Sequence, residues 1–269
     1  CTLVSSSKSV GCLHMTGWTI AAFTHRGRVR PANEDAISIG TRVLTRDMSA
    51  PVVMTAPDEG CLLMVADGMG GHAQGALASR AVLDYLVAAV GRLSNPETCA
   101  EAIESANQHL YTLMERHDAV GMGTTLVGAF LTPKALLTFN VGDSRSYLFS
   151  AGRLIQLSHD DVADEGNNRS GHRRSHAITQ ALGGSSFPVT IEPHISLEAP
   201  LGTDETLLLC SDGLTDMVSD QATAKVLDTN DPVQSLRKLV AMAFAVGAID
   251  NISLIVARCS KRLGAPKRR

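Results

Sequence analysis

Two segments of the sequence share one design, in which an apolar run typical of a strand ends in Asp-Gly. The first run, LLMVADGMGG, reaches Asp67, and the second, LLLCSDGLTD, reaches Asp212. Asp143 follows a third run, in LLTFNVGDSR, and Asp250 comes directly before a fourth, in AIDNISLIVA. An Asp-Gly pair after a strand is also a common turn, so one segment alone carries little weight. Four carboxylates at strand ends indicate more, because strand ends on one edge of a sandwich lie close together.

A cluster of carboxylates needs positive charge between its members, because like charges at short range repel. Oxygen ligands favour Mg²⁺ or Mn²⁺, and the sequence contains neither His-x-x-His nor the clustered cysteines that would indicate zinc. The glycines also let a backbone carbonyl approach a cation. Two such cations can lower the pKa of a water between them and hold the attacking and leaving oxygens of a phosphoryl group. The residues therefore predict hydrolysis of a phosphate ester.

Arginines precede another acidic pair, in the segment RVRPANED. Arg28 and Arg30 lie upstream of Glu34 and Asp35. A guanidinium suits phosphate because it can donate two parallel hydrogen bonds to its oxygens. This segment therefore supplies the positive group that a phosphate-hydrolysing site needs.

The polar stretch at 158–175 is typical of a surface flap, because it combines His, Asp, Asn, Gly and Arg. Its basic cluster fits guidance of acidic phosphopeptides, although a solvated loop is the commoner role for such a cluster. For Thr124 and Thr125, strand-edge hydrogen bonds are favoured over direct contact with substrate. The residues of the basic cluster are His172, Arg173, Arg174 and His176.

Apolar runs rich in β-branched residues predict strands, and longer helical patterns predict helices. The helices come in two pairs, each placed between blocks of strands, so strict alternation of strand and helix is excluded. We predict an α+β fold, a central antiparallel β-sandwich flanked by pairs of helices. The predicted strands are 19–23, 61–66, 124–131, 135–141, 146–149, 189–195, 206–210 and 252–257, and the predicted helices are 74–93, 96–117, 219–227 and 232–246.

A chain of 269 residues can bury one sizeable core, and we expect one domain at residues 17–259. We expect a disordered or poorly ordered segment at 1–16 and a solvated basic tail at 260–269. A net charge of −3 excludes a general attraction to nucleic acid. The longest apolar stretch, at 239–249, has about half the length of a membrane-spanning helix. The six cysteines lack C-x-x-C spacing, and Cys61 and Cys210 lie in apolar runs, which fits a reducing cytoplasm.

Seven short motifs resemble, in order, those of the metal-dependent type 2C protein phosphatases, the PPM family. They are RxxNED, VADGMGGH, GxGTT, VGDSR, TQALG, CSDGL and DNIS, at residues 30–35, 65–72, 121–125, 141–145, 179–183, 210–214 and 250–253. The form DGMGGH with a compact flap is most similar to the bacterial branch that opposes Ser/Thr kinases. The resemblance implies a four-layer αββα fold. It also implies hydrolysis of phosphoserine and phosphothreonine in proteins by water or hydroxide activated between two metal ions.

The resemblance implies that most of the aspartates are metal ligands. By position, Asp67 bridges two metals and Gly68 adds its carbonyl oxygen. Asp212 and Asp250 complete the metal shell. Asp143 helps to hold a third, weaker metal with Asp212, although a purely structural role in its turn needs no metal. The implied cofactors are two Mn²⁺ or Mg²⁺ ions per active site.

The remaining residues of the site act around the metals or on the substrate, by the same resemblance. Asp35 acts through a metal-coordinated water, Arg30 binds the substrate phosphate and Asn251 supports the neighbouring ligand. The general acid stays open, because Met69 stands where eukaryotic relatives have a His. His72 is a candidate for that acid, and a capping or packing role at the next helix start fits it equally; metal-coordinated water is the other candidate.

Two other functions remain open on the sequence. One is hydrolysis of a small phosphomonoester, and the other is a non-catalytic module that binds a phosphorylated partner or a kinase. The intact carboxylates argue against the module, because an unneutralised cluster costs stability. As partners we expect phosphorylated protein substrates and a cognate Ser/Thr kinase, with no nucleic acid and no membrane. We expect a monomer in the cytoplasm.

Overall fold

A computed structural model of the chain describes residues 16–56, 60–71, 73–163, 177–229 and 231–261. The described part contains fifteen strands and five α-helices, with a short 3₁₀ turn at Val90–Arg92. The strands are β1 (Thr16–His25), β2 (Ala36–Ile39), β3 (Arg42–Leu44), β4 (Val52–Ala56), β5 (Cys61–Ala66), β6 (Gly68–Met69), β7 (Gly123–Thr124), β8 (Leu126–Leu131), β9 (Leu136–Val141), β10 (Arg145–Ser150), β11 (Arg153–Gln156), β12 (Leu182–Gly183), β13 (His194–Glu198), β14 (Thr206–Cys210) and β15 (Ile252–Lys261). The helices are α1 (Ala73–Ala88), α2 (Pro96–His117), α3 (Asp212–Thr215), α4 (Asp220–Leu227) and α5 (Pro232–Ala245).

Two six-stranded antiparallel sheets form the centre of the molecule. The first sheet has the order β11-β10-β14-β15-β1-β4, and the second has the order β13-β9-β8-β5-β2-β3. A small sheet, β12-β7-β6, lies beside them. Helices α1 and α2 pack on the outer face of the second sheet, and α4 and α5 on that of the first. The predicted α+β sandwich with flanking helix pairs, the four-layer αββα fold, is therefore confirmed.

Three apolar cores hold the four layers together. Strand β5 contributes to two of them, which explains why its sequence is continuously apolar. Leu62, Met64 and Ala66 belong to the core beneath α1 and α2. The alternate residues Leu63 and Val65 belong to the core between the two sheets. Because successive side chains of a strand point to opposite faces, a strand buried on both faces needs apolar residues throughout.

The four long helices lie where the sequence predicts them, and side-chain caps explain three of their starts. Asn95 accepts hydrogen bonds from the first-turn amides of α2, Ser219 from one in α4, and Asp231 from two in α5. The predicted helix at 74–93 is shorter in the structure, since α1 ends at Ala88 and the chain continues as a 3₁₀ turn. The one-turn helix α3 was not predicted, because four residues carry no helical period.

The predicted strand at 189–195 is wrong in its placement, because β13 starts only at His194. Proline interrupts the stretch at position 193, and proline has no amide hydrogen for a sheet ladder. Val189 and Ile191 contact α2 instead: Asn107 donates to the Val189 carbonyl, and Glu104 accepts from the Ile191 amide. The short strands β2, β3, β4 and β11 were missed, since three to five residues give too little alternation to detect.

Several predictions fall outside the described residues. They concern the segment at 1–15, His72, the tail from 262 onwards and most of the flap, with His172, Arg173, Arg174 and His176. Cys61 and Cys210 are buried free thiols, as expected from their apolar surroundings. In the ranges that the structure covers, no helix combines the length and apolarity needed to cross a membrane.

Candidate active site

The sheet pairing within the second sheet places Asp35 next to Asp67. Asp35 directly precedes β2, and Asp67 directly follows β5. In the antiparallel ladder of these two strands, Ala36 lies opposite Ala66, so the next position outward puts Asp35 beside Asp67. Residues 32 positions apart in the chain thus meet at one edge of one sheet.

The first sheet contributes the other two carboxylates at the same edge of the sandwich. Asp212 follows β14 and begins α3, and Asp250 comes two residues before β15. These strands are neighbours, with Cys210 opposite Leu254. Because the two sheets face each other across an apolar core, the ends of β2, β5, β14 and β15 meet, which brings together Asp35, Asp67, Asp212 and Asp250.

Burial and mutual repulsion raise the pKa values of these carboxyl groups. The pKa of Asp67 lies well above its usual range through burial and repulsion from Asp35, Asp212 and Asp250, with a hydrogen bond to Asp212 adding to the shift. Burial, followed by repulsion from Asp143 and Asp250, raises the pKa of Asp212 to about 7. Burial also raises the pKa of Asp35 to about 6, against hydrogen bonds from Ser253 and Ser211 that lower it. A positive charge placed among them would relieve this repulsion.

Two oxygens of the cluster lack partners within the described part of the chain. They are Asp35 Oδ1 and Asp212 Oδ1, both buried without a hydrogen bond. An unpaired buried carboxylate oxygen is costly, and a cation would satisfy it. The donor set consists only of oxygens, which suits Mn²⁺ or Mg²⁺. The residues present therefore fit the divalent cations implied by the sequence.

A short chain of hydroxyl groups lies beneath the cluster and holds Asp35. Ser211 Oγ donates to Asp35 Oδ2 at 3.0 Å, and the Ser253 amide donates to Ser211 Oγ at 3.0 Å. Ser253 Oγ in turn pairs with Thr24 Oγ1 at 2.8 Å. Asp35 is fully buried, whereas the other three carboxylates keep accessible surface. Sequence reasoning missed Ser211 and Ser253, although both lie inside the quoted CSDGL and DNIS motifs.

The two threonines of the GxGTT motif hold the backbone of Asp67. Thr124 Oγ1 donates to the Asp67 carbonyl at 2.9 Å, and Thr125 Oγ1 accepts from the Asp67 amide at 3.1 Å. Their favoured interpretation as hydrogen-bonding residues at a strand edge agrees with these contacts. Gly68 is tightly enclosed, because a Cβ there would collide with the carbonyl oxygens of Gly75 and Glu34. Only glycine leaves the backbone room to follow Asp67 at this point.

Arg30 reaches the cluster from the segment before β2. Its Nη2 donates to Asp250 Oδ2 at 2.6 Å, while about half of its side chain stays exposed. The hydrogen bond to Asp250 raises the pKa of Arg30, so the guanidinium is fully charged. The structure thus places the guanidinium of Arg30 on Asp250, one of the candidate metal ligands, in a partly exposed position. Arg28 lies apart from this site, with its guanidinium over the ring of Phe244.

The side chain of Asn251 supports the Arg30 segment, and its backbone amide supports the neighbouring carboxylate of Asp250. Its side-chain amide donates to the carbonyls of Arg26 and Ala32, and its Oδ1 accepts from the Glu34 amide. Its backbone amide donates to Asp250 Oδ1 at 2.8 Å. One buried side chain thus fixes the loop that carries both Arg30 and Asp35, a role that the spacing of residues along the chain did not reveal.

Asp143 lies at the turn where the chain passes from the second sheet to the first, between β9 and β10. Burial raises its pKa, followed by repulsion from Asp160 and Asp216. Its charge in turn acts on Asp212. Asp143 therefore borders the cluster on the Asp212 side. Met69, in β6, has no group that can donate a proton, so it leaves the general acid unassigned.

Comparison with known proteins decides the family. The family model described as protein phosphatase 2C matches residues 45–243, about three quarters of the chain. The chain belongs to the protein phosphatase 2C family. It is 33% identical over 254 residues to the serine/threonine protein phosphatase PstP of Mycobacterium tuberculosis, covering 88% of this chain and 44% of PstP. It is 31% identical to the serine/threonine phosphatase Stp of Listeria monocytogenes, covering 87% of this chain and 92% of Stp.

Solved structures of the family agree with the fold. The catalytic domain of PstP in complex with two manganese ions matches with a TM-score of 0.71 and 32% identity, covering 91% of this chain and 99% of that domain. The chain thus spans less than half the length of PstP and nearly all of its catalytic domain. PstP and Stp are bacterial proteins, which confirms the resemblance to the bacterial branch.

Proposed function

We propose that this member of the protein phosphatase 2C family is a metal-dependent protein serine/threonine phosphatase whose catalytic unit is residues 17–259. The observation that carries the proposal is the cluster of Asp35, Asp67, Asp212 and Asp250, with its raised pKa values and unpaired oxygens. Such a cluster is unfavourable without cations, and PstP, which shares the fold, was solved with two manganese ions. A chain that only bound phosphorylated partners would have no need to keep it.

Within this proposal, Asp67, Gly68, Asp212 and Asp250 hold two Mn²⁺ or Mg²⁺ ions. Asp143 helps Asp212 to hold a weaker third ion. The bound ions supply an activated water and neutralise the charge that develops on a phosphoryl group. Asp35, buried beside Asp67 and held by Ser211, would act on the ions through a coordinated water.

Arg30 binds the outer oxygens of the substrate phosphate in this proposal. Its present partner, Asp250, is also a proposed metal ligand, so a cation competes with Arg30 for the same carboxylate. With cations held by Asp250, the guanidinium of Arg30 would be left available for an incoming phosphate. The site is formed by strand ends and exposed loops, which fits a phosphorylated segment of a protein better than a small enclosed ester.

The proposal also covers the substrates, the opposing enzyme, the oligomeric state and the cellular compartment. We propose phosphorylated proteins as substrates and a cognate Ser/Thr kinase as the opposing enzyme. We further propose a monomer in the cytoplasm. Free buried cysteines support a reducing compartment, and a small net charge supports the absence of nucleic acid.

The proposed activity predicts phosphate release from a phosphothreonine peptide in Mn²⁺ or Mg²⁺ and none in EDTA. The measurement is inorganic phosphate released by the full chain under each condition, alongside a small aryl phosphate at the same concentration. Preference for the peptide supports the protein phosphatase. A preference for the aryl ester favours a small-molecule phosphatase, and inactivity under every metal condition favours a binding module.

Replacing Arg30 with Ala is expected to lower kcat/KM for the phosphopeptide by about 10- to 100-fold, because a charge-assisted hydrogen bond to phosphate is lost. Inhibition by inorganic phosphate should weaken in parallel, which separates phosphate binding from damage to the metal site. Arg28→Ala is the matched control, since Arg28 is also exposed but lies over Phe244. Equal losses in both variants, or unchanged phosphate inhibition in Arg30→Ala, would exclude the assigned role.

A further inference from the structure

A second group of metal-ligating side chains lies outside the carboxylate cluster. His159, Asp161 and His194 each present one ligand atom, and these three atoms lie within 4.8 Å of one another. His194 Nε2 lies 2.8 Å from Asp161 Oδ1, and the rings of the two histidines have their centroids 4.6 Å apart. Residues from an irregular segment and from strand β13 thus converge on one point.

The other carboxylate oxygen of Asp161 is held by the protein. Asp161 Oδ2 accepts from the Gly142 amide at 2.8 Å and from Gln180 Nε2 at 3.0 Å. These two donors fix the carboxyl group so that Oδ1 faces the histidines. Ligands of metal sites are typically oriented by outer hydrogen bonds of this kind.

The two histidines are placed by one buried side chain, Asn140 of β9. Its Nδ2 donates to the His159 carbonyl at 2.6 Å, and its Oδ1 accepts from the His159 amide at 3.0 Å. In the ladder of β9 and β13, Asn140 lies directly opposite His194. The backbones of His159 and His194 are therefore fixed relative to each other before any ligand binds.

We propose that His159, Asp161 and His194 form a binding site for Zn²⁺ that is separate from the carboxylate cluster. Two imidazole nitrogens and one carboxylate oxygen are a common ligand set for zinc, with a water in the fourth position. That position is available because His159 is exposed. Imidazole ligands favour zinc over Mn²⁺ and Mg²⁺, so the two sites select different ions.

The position of the site gives it a structural role. Asp161 also bonds to the backbone of Gly142 in both directions, next to Asp143. Val162 and Ile178 pair as an isolated bridge at the base of the connection between β11 and β12. Zinc would link the segment next to the Val162–Ile178 bridge to β13, an edge strand of the second sheet. The link would also restrict the motion of the turn that carries Asp143.

An ordinary ion pair between Asp161 and His194 is the simpler interpretation of the same geometry. Such a pair needs no third partner, whereas the proposed site needs the ring of His159. The effect of replacing His159 on zinc binding therefore distinguishes the two interpretations. His159→Gln is also a mild change, because the residue is exposed and its backbone is held by Asn140.

The test measures Zn²⁺ binding to the full chain by equilibrium dialysis, together with X-ray absorption at the zinc edge. The chain carries Asp67→Asn to weaken binding at the carboxylate cluster. That cluster offers only oxygens, so scattering from imidazole rings assigns the zinc to histidines. His117→Gln, which removes an exposed histidine at the end of α2, is the matched control.

We expect one zinc ion bound through two imidazoles in the Asp67→Asn chain and in the control. His159→Gln should leave one imidazole and weaken binding by about 100-fold or more, since loss even of outer partners costs 10- to 100-fold. His194→Ala should likewise leave one imidazole and weaken zinc binding by a similar factor. Zinc bound only through oxygens, no bound zinc, or a two-imidazole signal that is unchanged in His159→Gln or in His194→Ala would overturn the proposal.

Discussion

Asp212→Asn is expected to lower phosphate release from a phosphothreonine peptide on the order of 10³-fold in saturating Mn²⁺. Asp212 joins the two halves of the site, since its carboxyl group is hydrogen-bonded to Asp67 and repelled by Asp143 and Asp250. An amide has the shape of the carboxylate but brings no negative charge, so cation binding loses both attraction and a strong ligand. The measurement is kcat/KM for the peptide across a range of Mn²⁺ concentrations.

Asp228→Asn is the matched control, because Asp228 is an exposed aspartate at the end of α4 and is not a member of the cluster. Circular dichroism would show that both variants are folded. Activity of Asp212→Asn within a few-fold of the unmodified chain, at the same Mn²⁺ concentration, would remove Asp212 from the proposed metal shell. A loss that high Mn²⁺ restores would instead show that Asp212 contributes mainly to metal affinity.

Asp67→Asn is expected to abolish activity and yet to stabilise the protein when cations are removed. Folding raises the pKa of Asp67, Asp35 and Asp212 above the ordinary value of 3.8, so the folded state binds more protons than the unfolded state. Stability without cations therefore falls as pH rises from about 4 to about 7, where the folded groups ionise. The loss should amount to several kcal/mol, since each pKa unit corresponds to about 1.4 kcal/mol. Removing the Asp67 charge should recover part of it.

The free energy of unfolding by urea, measured in EDTA from pH 5 to pH 8, tests this expectation. The unmodified chain should lose stability across the range, Asp67→Asn should lose less, and Asp228→Asn should follow the unmodified chain. Saturating Mn²⁺ should stabilise the unmodified chain most at the upper end, because cations bind the ionised carboxylates. A flat profile in EDTA, or an Asp67→Asn variant no more stable than the unmodified chain at pH 8, would contradict the repulsion described above.

The chemistry of the active site was predictable because it resides in residue types at strand ends. Asp67 and Asp212 each follow a run of apolar residues, and such a run is a strand buried on both faces, as β5 and β14 are. The four-layer arrangement followed from helix pairs between strand blocks. Strand β13 shows the limit of this reasoning, because the backbone of Val189 and Ile191, before Pro193, hydrogen-bonds to side chains of α2 and joins no sheet.

The supports of the site were not predictable, because they depend on distant residues that meet only after the sheets pair. Ser211 reaches Asp35 across 176 positions, and Asn251 reaches the Glu34 amide across 217. A serine or an asparagine in a motif has no local pattern that shows which backbone group it will bind.

By itself, the sequence determined the family, the longer strands and helices that build the sandwich, and the carboxylates proposed to bind cations, because periodicity and residue chemistry are local properties. Only the tertiary structure decided that Arg30 pairs with Asp250, that Asn251 holds the Arg30 segment, and that His159, Asp161 and His194 converge. The physical reason is that these contacts depend on the register between strands and on the crossing of the chain from one sheet to the other. Such geometry is set by the packing of the whole core, so it cannot be predicted from the spacing of residues along the chain.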